Sequence, residues 1–228
     1  MIPLLRLTAD PGDPDLLDRV ARHLDGGGLV AYPTETVYGL GARADADGVA
    51  GVRDLKGRAE EKPFLVLLPG DGEGDAESGV EGDPGAGLSW GPSARDLARA
   101  FWPGPLTLVL EDPRGLFPPG VRGPGGGVAI RRSPEPFVEA LLRRWPHPLI
   151  STSANRAGDA PARDADQVIR AVEGRPGLHR LWILDGGPRV EQAPSTVLDC
   201  TREPPRIIRA GALSPEALRE VVPEVEEV

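Results

Sequence analysis

The sequence predicts an α/β fold, with helices packed over a central mixed sheet. Short apolar segments typical of buried strands alternate along the chain with amphipathic segments of helical period, and this alternation is typical of the class. The intervals between strands and helices vary in length, so we expect a mixed sheet rather than a strictly parallel one. With 228 residues, the chain is long enough to build one domain around a sizeable core.

The predicted helices are indicated by their end signals. Asp13 and Pro14 begin the first helix, and the glycines at 26–28 end it. Ser214 and Pro215 form a similar start near the other end of the chain, with an acid beside the positive end of the helix dipole. Apolar residues at helical spacing predict further helices around residues 49–55, 93–102, 134–145 and 168–172.

The predicted strands are short apolar runs between turn signals. Residues 34–44, which follow the first run directly, are predicted to be part loop and part strand. We expect strands at residues 29–32, 64–68, 106–110, 128–131, 149–152, 181–184, 196–198 and 207–208.

Residues 70–91 differ in composition from the rest of the chain, because glycines there alternate with aspartates and glutamates. Such a segment cannot build a core. We therefore predict a single domain over residues 1–228, with a core at about 10–212 and a surface insertion at about 70–91. Much of the acidic charge lies in this insertion, so the folded body is closer to neutral than the net charge of −9 suggests.

The composition argues against several classes of protein. The one cysteine, Cys200, rules out an internal disulfide. No apolar run approaches the roughly 20 residues of a membrane helix, and the N-terminus does not read as a signal peptide, so a cytoplasmic protein is expected. The net charge of −9 disfavours sequence-independent binding of nucleic acid. The sequence contains no P-loop, no GxGxxG after a strand and no His/Cys set with metal-ligand spacing.

Two polar clusters contain hydroxyl, carboxylate or cationic groups. The first, at residues 34–36 after a buried strand, is either a ligand site or a polar turn with capping threonines, and composition favours the turn. The second contains Lys56 and Arg58, with Lys62 beyond. In an extended chain Lys56 and Arg58 share a face and can bind one anion, but cations at a helix C-terminus are an equally good interpretation.

Three further clusters follow later strands. Ser151, Ser153 and Asn155 can hold phosphate oxygens or a hydrated Mg²⁺, although a turn that caps the next element is slightly favoured. Ser195 with Arg209 forms the fourth cluster, and Arg131 belongs to the fifth. For these two, a position on a surface strand explains the residues at least as well.

Taken together and in order, these segments resemble the YrdC-like family of threonylcarbamoyl-AMP synthases, in a short form without an extra C-terminal domain. The resemblance implies a twisted α/β sheet with a deep concave pocket. It also implies a reaction in which the carbamate of threonine and bicarbonate (or CO₂) attacks the α-phosphorus of ATP and pyrophosphate leaves. The matching segments are PTETVYGLG, LKGR with KPFLVLL, FWPGPLTLVL, VAIRRSP, PLISTSANRAG, PSTVLDC and RIIRAG.

The family's functional residues carry over to matching positions. The resemblance implies that Mg²⁺ arrives on ATP without a protein metal site, and that a partner complex transfers the product to tRNA, which this chain contacts weakly or indirectly. The implied catalytic residues are Lys56, Arg58, Ser153 and Asn155; the implied ATP-binding residues are Arg58, Lys62, Ser153 and Arg209; and the implied threonine-binding residues are Thr34, Arg131, Ser151 and Ser195.

Four positions depart from the family pattern. Leu67 replaces a histidine, Gly127 a threonine and Pro161 a serine found in some relatives, while Pro194 stands where glutamate is usual. Two other functions remain as alternatives. A double-stranded RNA- or tRNA-binding module of the same fold conflicts with the acidic charge, and a carbamoyltransferase like the hydrogenase-maturation proteins would need further domains.

Overall fold

A computed structural model of the chain describes residues 2–7, 10–57, 62–69, 85, 87–190 and 192–227. Within these residues, ten strands form one sheet in the order β1-β8-β2-β3-β7-β4-β6-β5-β9-β10. The strands are β1 (Leu4–Arg6), β2 (Leu29–Pro33), β3 (Tyr38–Arg43), β4 (Leu65–Leu67), β5 (Leu106–Glu111), β6 (Gly127–Arg131), β7 (Leu149–Ser153), β8 (Leu181–Asp185), β9 (Thr196–Asp199) and β10 (Arg206–Arg209).

The sheet is mixed, as the varied strand spacing predicted. Strands β1 and β2 both pair with β8 in parallel, as do β4 with β6 and β5 with β9. The other neighbours are antiparallel: β2 with β3, β3 with β7, β7 with β4, β6 with β5, and β9 with β10. Because β7 is antiparallel to both of its neighbours, its C-terminal end meets the start of β3 and the start of β4.

The helices begin and end close to the predicted signals. Asp13 caps α1 by accepting hydrogen bonds from two backbone N–H groups, and Ser214 caps α6 through its hydroxyl. Gly57 ends α2 in the left-handed conformation at φ 60°, which glycine adopts without a steric cost. The helices are α1 (Pro14–Asp25), α2 (Ala46–Lys56), α3 (Pro92–Phe101), α4 (Pro136–Arg144), α5 (Ala165–Val172) and α6 (Pro215–Arg219).

The two faces of the sheet bury separate cores. Alternate residues of β2 point to opposite sides: Leu29 and Ala31 join one core, and Val30 and Tyr32 join the other. Helices α2, α3, α5 and α6 pack on the first face, whereas α1 and α4 cover the second. Part of the second face lies beyond α1 and α4. Leu67 of β4 belongs to that core and also lines a cavity on the same face.

Strand β1 was not predicted, and β3 was predicted only as the strand part of residues 34–44, without bounds. Strand β1 has only three residues, and its parallel partner β8 lies far along the chain. Strand β3 contains two glycines instead of an alternating pattern. A Cβ on Gly41 would lie 2.8 Å from the ring of Tyr32 and 2.9 Å from the carbonyl oxygen of Ile150, so the close packing of β2, β3 and β7 requires glycine there.

The predicted acidic insertion lies mainly outside the described residues, which omit 70–84 and 86. Its predicted end at residue 91 is too late. Leu88 is buried in the core, and Ser89 forms a bridge with Glu111 at the end of β5. The folded body therefore resumes before α3 begins.

A long connection crosses the sheet between β8 and β9. Six strands separate these two strands in the sheet, although they are consecutive in the chain. We call residues 186–195 the crossing segment. Its start is held by the Tyr38 hydroxyl, which donates to the Gly187 carbonyl at 2.9 Å, and its end is held at Pro194, whose carbonyl accepts from Ala212 N–H at 2.9 Å.

Among the described residues, every helix is too short or too polar to span a bilayer.

Candidate active site

A cavity of about 560 Å³ opens on the sheet face that α1 and α4 leave uncovered. Its walls come from the β2–β3 loop, the ends of β6 and β7, strand β4, the crossing segment and strand β10. Most of the polar clusters noted in the sequence therefore meet in one place. The lining residues are Thr34, Glu35, Thr36, Val37, Gly39, Pro63, Leu65, Leu67, Arg131, Ser133, Ser151, Thr152, Ser153, Pro161, Arg163, Gln192, Pro194, Ser195 and Arg209.

The β2–β3 loop, residues 34–37, is a tight turn held by Thr34. The Thr34 hydroxyl donates to the Val37 carbonyl at 2.7 Å and accepts from the N–H groups of Thr36 and Val37 at 3.3 Å. The Thr34 N–H also donates to the Val37 carbonyl, at 2.9 Å. The interpretation as a capped polar turn is thus confirmed, and the same turn faces the cavity.

Glu35 and Arg131 form an ion pair on the cavity wall. Arg131 Nη2 donates to Glu35 Oε1, and the two side chains are 11% and 20% exposed. Arg131 Nε donates to the Gly104 carbonyl at 2.8 Å, which fixes the orientation of the guanidinium. The second carboxylate oxygen of Glu35 lies 3.4 Å from the Ser133 hydroxyl, a long separation for a hydrogen bond between oxygens.

Ser195 is held in place by a residue from β5 and a residue from β10. Its buried hydroxyl lies 2.8 Å from the Thr107 hydroxyl, and Arg209 Nη2 donates to the Ser195 hydroxyl at 3.0 Å and to its carbonyl at 2.8 Å. Desolvation, and secondly the nearby positive charge of Arg131, lower the pKa of Arg209. Arg131 and Arg209 both line the cavity, as a site for an anionic ligand requires.

Ser151 is oriented from beneath by Tyr32. The Tyr32 hydroxyl donates to Ser151 Oγ at 2.7 Å, and Tyr32 is 1% exposed. Burial raises the pKa of Tyr32, so this phenol stays protonated and remains a donor. Ser151 keeps its own hydroxyl proton to offer to a ligand.

Lys56, Ser153 and Asn155 form a closed hydrogen-bond network. Lys56 Nζ donates to the Ser153 carbonyl and, at 2.9 Å, to Asn155 Oδ1, which also accepts from the Ser153 hydroxyl at 2.5 Å. Asn155 Nδ2 donates to the carbonyls of Arg156 and Asp159 at 2.8 and 2.7 Å. An amide side chain has two donors and two acceptor positions, and all four are used within the protein.

The structure brings six of the ten predicted site residues to the cavity wall. Lys56 and Asn155 do not line it, and Lys56 is 5% exposed. The expected extended geometry around Lys56 is wrong, because Lys56 ends α2. Lys62 is exposed and precedes Pro63 of the wall, and Arg58 lies outside the described residues. The six lining residues are Thr34, Arg131, Ser151, Ser153, Ser195 and Arg209.

Three of the four departures from the family pattern lie on the cavity wall. Leu67, Pro161 and Pro194 line it, whereas Gly127 does not. A Cβ on Gly127 would lie 2.8 Å from Val109 Cγ1, so close packing of β5 against β6 explains that glycine.

Six polar lining residues were not predicted as site residues: Glu35, Thr36, Ser133, Thr152, Arg163 and Gln192. Glu35 lies within the first polar cluster, so its signal was present in the sequence. Gln192 belongs to the crossing segment, and only the sheet order brings that segment over the cavity.

The described residues contain no cluster of three His, Cys, Asp or Glu side chains placed to hold a metal ion. Glu35 is the one carboxylate among the described lining residues, and it is paired with Arg131. The wall is therefore suited to anions and hydroxyl-bearing ligands, and a cation would need to be bound mainly by the ligand itself.

Comparisons with known proteins agree on one group of relatives. The family model Sua5/YciO/YrdC, described as "Telomere recombination", matches residues 22–211. A putative threonylcarbamoyl-AMP synthase of Mycobacterium tuberculosis is 36% identical over 94% of this chain and 94% of its own length. The threonylcarbamoyl-AMP synthase of Bacillus subtilis is 33% identical over 85% of this chain, which spans 53% of that protein.

Two solved structures share the fold. Pyrococcus abyssi Sua5, complexed with L-threonine, matches with a TM-score of 0.81 and 30% identity, covering 100% of this chain and 62% of its own. Escherichia coli YciO matches with a TM-score of 0.77 at 19% identity, covering 96% of this chain and all of its own. The described sheet, with helices on both faces, is thus the fold of these proteins.

Proposed function

The chain belongs to the Sua5/YciO/YrdC family, and we propose that it is a threonylcarbamoyl-AMP synthase. Its substrates are L-threonine, bicarbonate (or CO₂) and ATP. The carbamate of threonine forms a bond from its oxygen to the α-phosphorus of ATP. The bond from that phosphorus to the bridging oxygen of the β-phosphate breaks, and the electron pair leaves with pyrophosphate.

One observation carries this proposal: a single cavity collects arginines, serine and threonine hydroxyls and one carboxylate from segments that are distant in sequence. Its volume of about 560 Å³ is in the range of small-molecule sites. The synthases of M. tuberculosis and B. subtilis and the threonine complex of P. abyssi Sua5 support the assignment.

The division of roles is the one that the family resemblance implies. We assign Thr34, Arg131, Ser151 and Ser195 to threonine, and Ser153, Arg209, Lys62 and Arg58 to the nucleotide. A carbamate is already anionic, so its attack needs no general base. The chain then has to hold the two reactants in line and offset the phosphate charge, which is how phosphoryl transfer is generally catalysed.

Mg²⁺ belongs to this scheme as part of the substrate MgATP. The lack of a carboxylate cluster among the described residues is consistent with a metal ion that is coordinated mainly by phosphate oxygens. Lys56 and Asn155 act as positioning residues, because their hydrogen bonds hold Ser153.

The product requires an acceptor. We assign its use to a separate complex that transfers the threonylcarbamoyl group to tRNA, which places the chain in the cytoplasm. Direct tRNA binding is weak or absent in this scheme, because a chain of net charge −9 lacks the electrostatic attraction on which sequence-independent RNA binding depends.

The test is pyrophosphate release from MgATP and bicarbonate with L-threonine, with L-serine or without an amino acid. We expect release that depends on threonine and falls strongly with serine, together with a product of the mass of threonylcarbamoyl-AMP. Pyrophosphate release at the same rate with and without the amino acid would refute the proposal. RNA binding at physiological salt without threonine-dependent release would favour the RNA-binding module instead.

A further inference from the structure

We propose that Glu35 binds the amino group of the amino-acid substrate, while the neighbouring Arg131 binds its α-carboxylate. This inference rests on the proposed function, because it concerns how the same cavity recognises threonine. It adds a specificity-determining residue that is not among the threonine-binding residues implied by the family resemblance.

The loop geometry fixes where the Glu35 carboxylate lies. Glu35 follows the end of β2 in the four-residue turn that Thr34 holds by hydrogen bonds at both of its ends. Strands β2 and β3 pair up to Pro33 and Tyr38, so the sheet anchors both sides of the turn. A carboxylate on such a turn is positioned before the ligand arrives, which reduces the entropic cost of binding.

The charge pattern of the wall gives Glu35 a distinct role. Among the described lining residues, Arg131, Arg163 and Arg209 are cationic, and Glu35 alone carries a carboxylate. The wall can therefore accept the negative groups of threonine and ATP at several positions. The positively charged ammonium of threonine has one matching partner, and that partner is next to the arginine best placed for a carboxylate.

The hydrogen bonds of the pair leave room for a ligand. Oε1 of Glu35 accepts from Arg131, whereas Oε2 has the Ser133 hydroxyl at 3.4 Å as its nearest recorded partner. Arg131 uses Nε for Gly104 and Nη2 for Glu35, and a guanidinium has further N–H donors to offer. The pair thus presents an acceptor oxygen and N–H donors side by side.

An α-amino acid is complementary to this arrangement, because its ammonium and carboxylate are separated by one carbon atom. The contact with Glu35 also survives carbamate formation, since the nitrogen of the carbamate keeps an N–H that can donate to the same oxygen. Glu35 therefore favours substrates with an α-nitrogen over acids of similar shape that have no donor at the α-carbon.

The competing explanation is that Glu35 only positions Arg131. The two explanations differ for the deamino analogue of threonine, 3-hydroxybutanoate, which has a hydrogen in place of the amino group and no donor for Glu35 at that carbon. If Glu35 acts through Arg131, its loss lowers the affinity for threonine and for the analogue equally, because both ligands carry the carboxylate. If Glu35 binds the amino group, its loss weakens threonine selectively.

The experiment measures the Kd of L-threonine and of 3-hydroxybutanoate by calorimetry. It uses the full chain as wild type, Glu35→Gln, Glu35→Asp and the control Glu135→Gln. Glu135 is also paired with an arginine, Arg189 at 3.4 Å, but lies outside the cavity wall. Thermal unfolding of each variant verifies that it is folded.

We expect Glu35→Gln to raise the Kd of threonine roughly ten- to a hundred-fold, as for a lost hydrogen bond to a charged group, and to change that of the analogue less than about threefold. Glu35→Asp keeps the charge, so it should retain part of the preference for threonine over the analogue. Glu135→Gln should retain that preference in full. Equal weakening of both ligands by Glu35→Gln would overturn the proposal. A wild-type chain that binds no threonine would instead refute the proposed function itself.

Discussion

Two polar regions of the molecule use their hydrogen bonds differently. In the closed network of Lys56, Ser153 and Asn155, every donor and acceptor of the Asn155 amide is hydrogen-bonded to another group of the protein. In the open pair of Glu35 and Arg131, one carboxylate oxygen has only a distant partner. The first region can position a wall of the cavity, and the second can bind a ligand.

This difference shows that a residue of a distinctive motif can either stabilise the cavity wall or bind the substrate. Lys56 and Asn155 belong to the most distinctive motifs of the sequence, yet neither lines the cavity. Loss of such residues should appear first as a loss of stability. Loss of residues in the open pair should appear as a loss of substrate binding in a protein that remains folded.

The largest effect is expected for Arg131→Ala. The variant removes the guanidinium that we assign to the threonine carboxylate, and charged hydrogen bonds of this kind contribute about 3 kcal/mol. We expect kcat/KM for threonine to fall at least about a hundred-fold, with KM for ATP changed much less. Steady-state pyrophosphate release measures both. Arg131→Lys keeps the charge without the planar fork, so its kcat/KM for threonine should lie between those of wild type and Arg131→Ala. If kcat/KM falls less than about threefold in Arg131→Ala, the open pair does not belong to the substrate site.

The second effect tests the closed network. Asn155→Ala leaves the ammonium of Lys56, which is 5% exposed, without one of its acceptors, at a cost of about 2–3 kcal/mol. We expect the Tm to fall by roughly 5–10 °C, as measured by calorimetry. Ser153→Ala is the comparison variant: it also removes a hydrogen bond to Asn155 Oδ1, but from a residue on the cavity wall, so it should weaken ATP binding more than stability. An Asn155→Ala protein with wild-type Tm would contradict the closed network.

The third effect concerns Thr107, which lies behind the cavity wall and contacts Ser195. Thr107→Val keeps the volume of a residue that is 3% exposed but removes the hydroxyl 2.8 Å from Ser195 Oγ. We expect KM for threonine to rise roughly three- to ten-fold, as for the loss of one neutral hydrogen bond, with kcat nearly unchanged. Thr107→Ser should restore the wild-type KM. No rescue by serine would mean that packing, not the hydroxyl, is what matters at this position.

The smallest effect comes from a carboxylate–arginine pair outside both regions. Burial raises the pKa of Glu135, although Arg189 opposes the shift. Because the folded protein holds this proton more tightly than the unfolded chain, wild-type stability falls as the pH rises from about 4 through the raised pKa. Glu135→Gln lacks this titration, so it should be more stable than wild type at neutral pH by less than about 0.5 kcal/mol.

The advantage of Glu135→Gln should vanish as the pH is lowered towards 4, and the Tm measured over this pH range tests it. A difference in Tm that stays constant with pH would show that Glu135 does not titrate in the folded protein as its burial implies. Threonine-dependent turnover should be the same in this variant as in wild type.

Local signals in the sequence predicted most of the fold. Helix starts such as Asp13-Pro14 and Ser214-Pro215 act within a few residues, so they can be read without knowing the fold. Strand β3 was harder to recognise, because its glycines are required by the ring of Tyr32 on the neighbouring strand. A short strand such as β1 depends on its partner β8 and carries little pattern of its own.

The site was predictable as a set of residues but not as a set of roles. The polar clusters after strands were noted from their positions, but the resemblance of the ordered segments to one family singled out their serines and arginines, and the fold brings most of them to one cavity. The closed network could not be predicted, because it requires the end of α2 to meet the end of β7: Lys56 reaches Ser153 across 97 residues of chain. Glu35 was visible in its motif, but its value as the lone carboxylate depends on which other side chains share the wall.

The crossing segment limits how the length of this chain can change. Seven inter-strand steps between β8 and β9 amount to about 34 Å along the sheet, and residues 186–195 can reach at most about 40 Å when extended. Deletion of three residues would therefore detach one strand or force the sheet to curl, whereas substitutions at exposed positions such as Val190, which is 78% exposed, should be accepted. In related proteins, the amino-acid sequence of this connection should vary, whereas its length should seldom decrease.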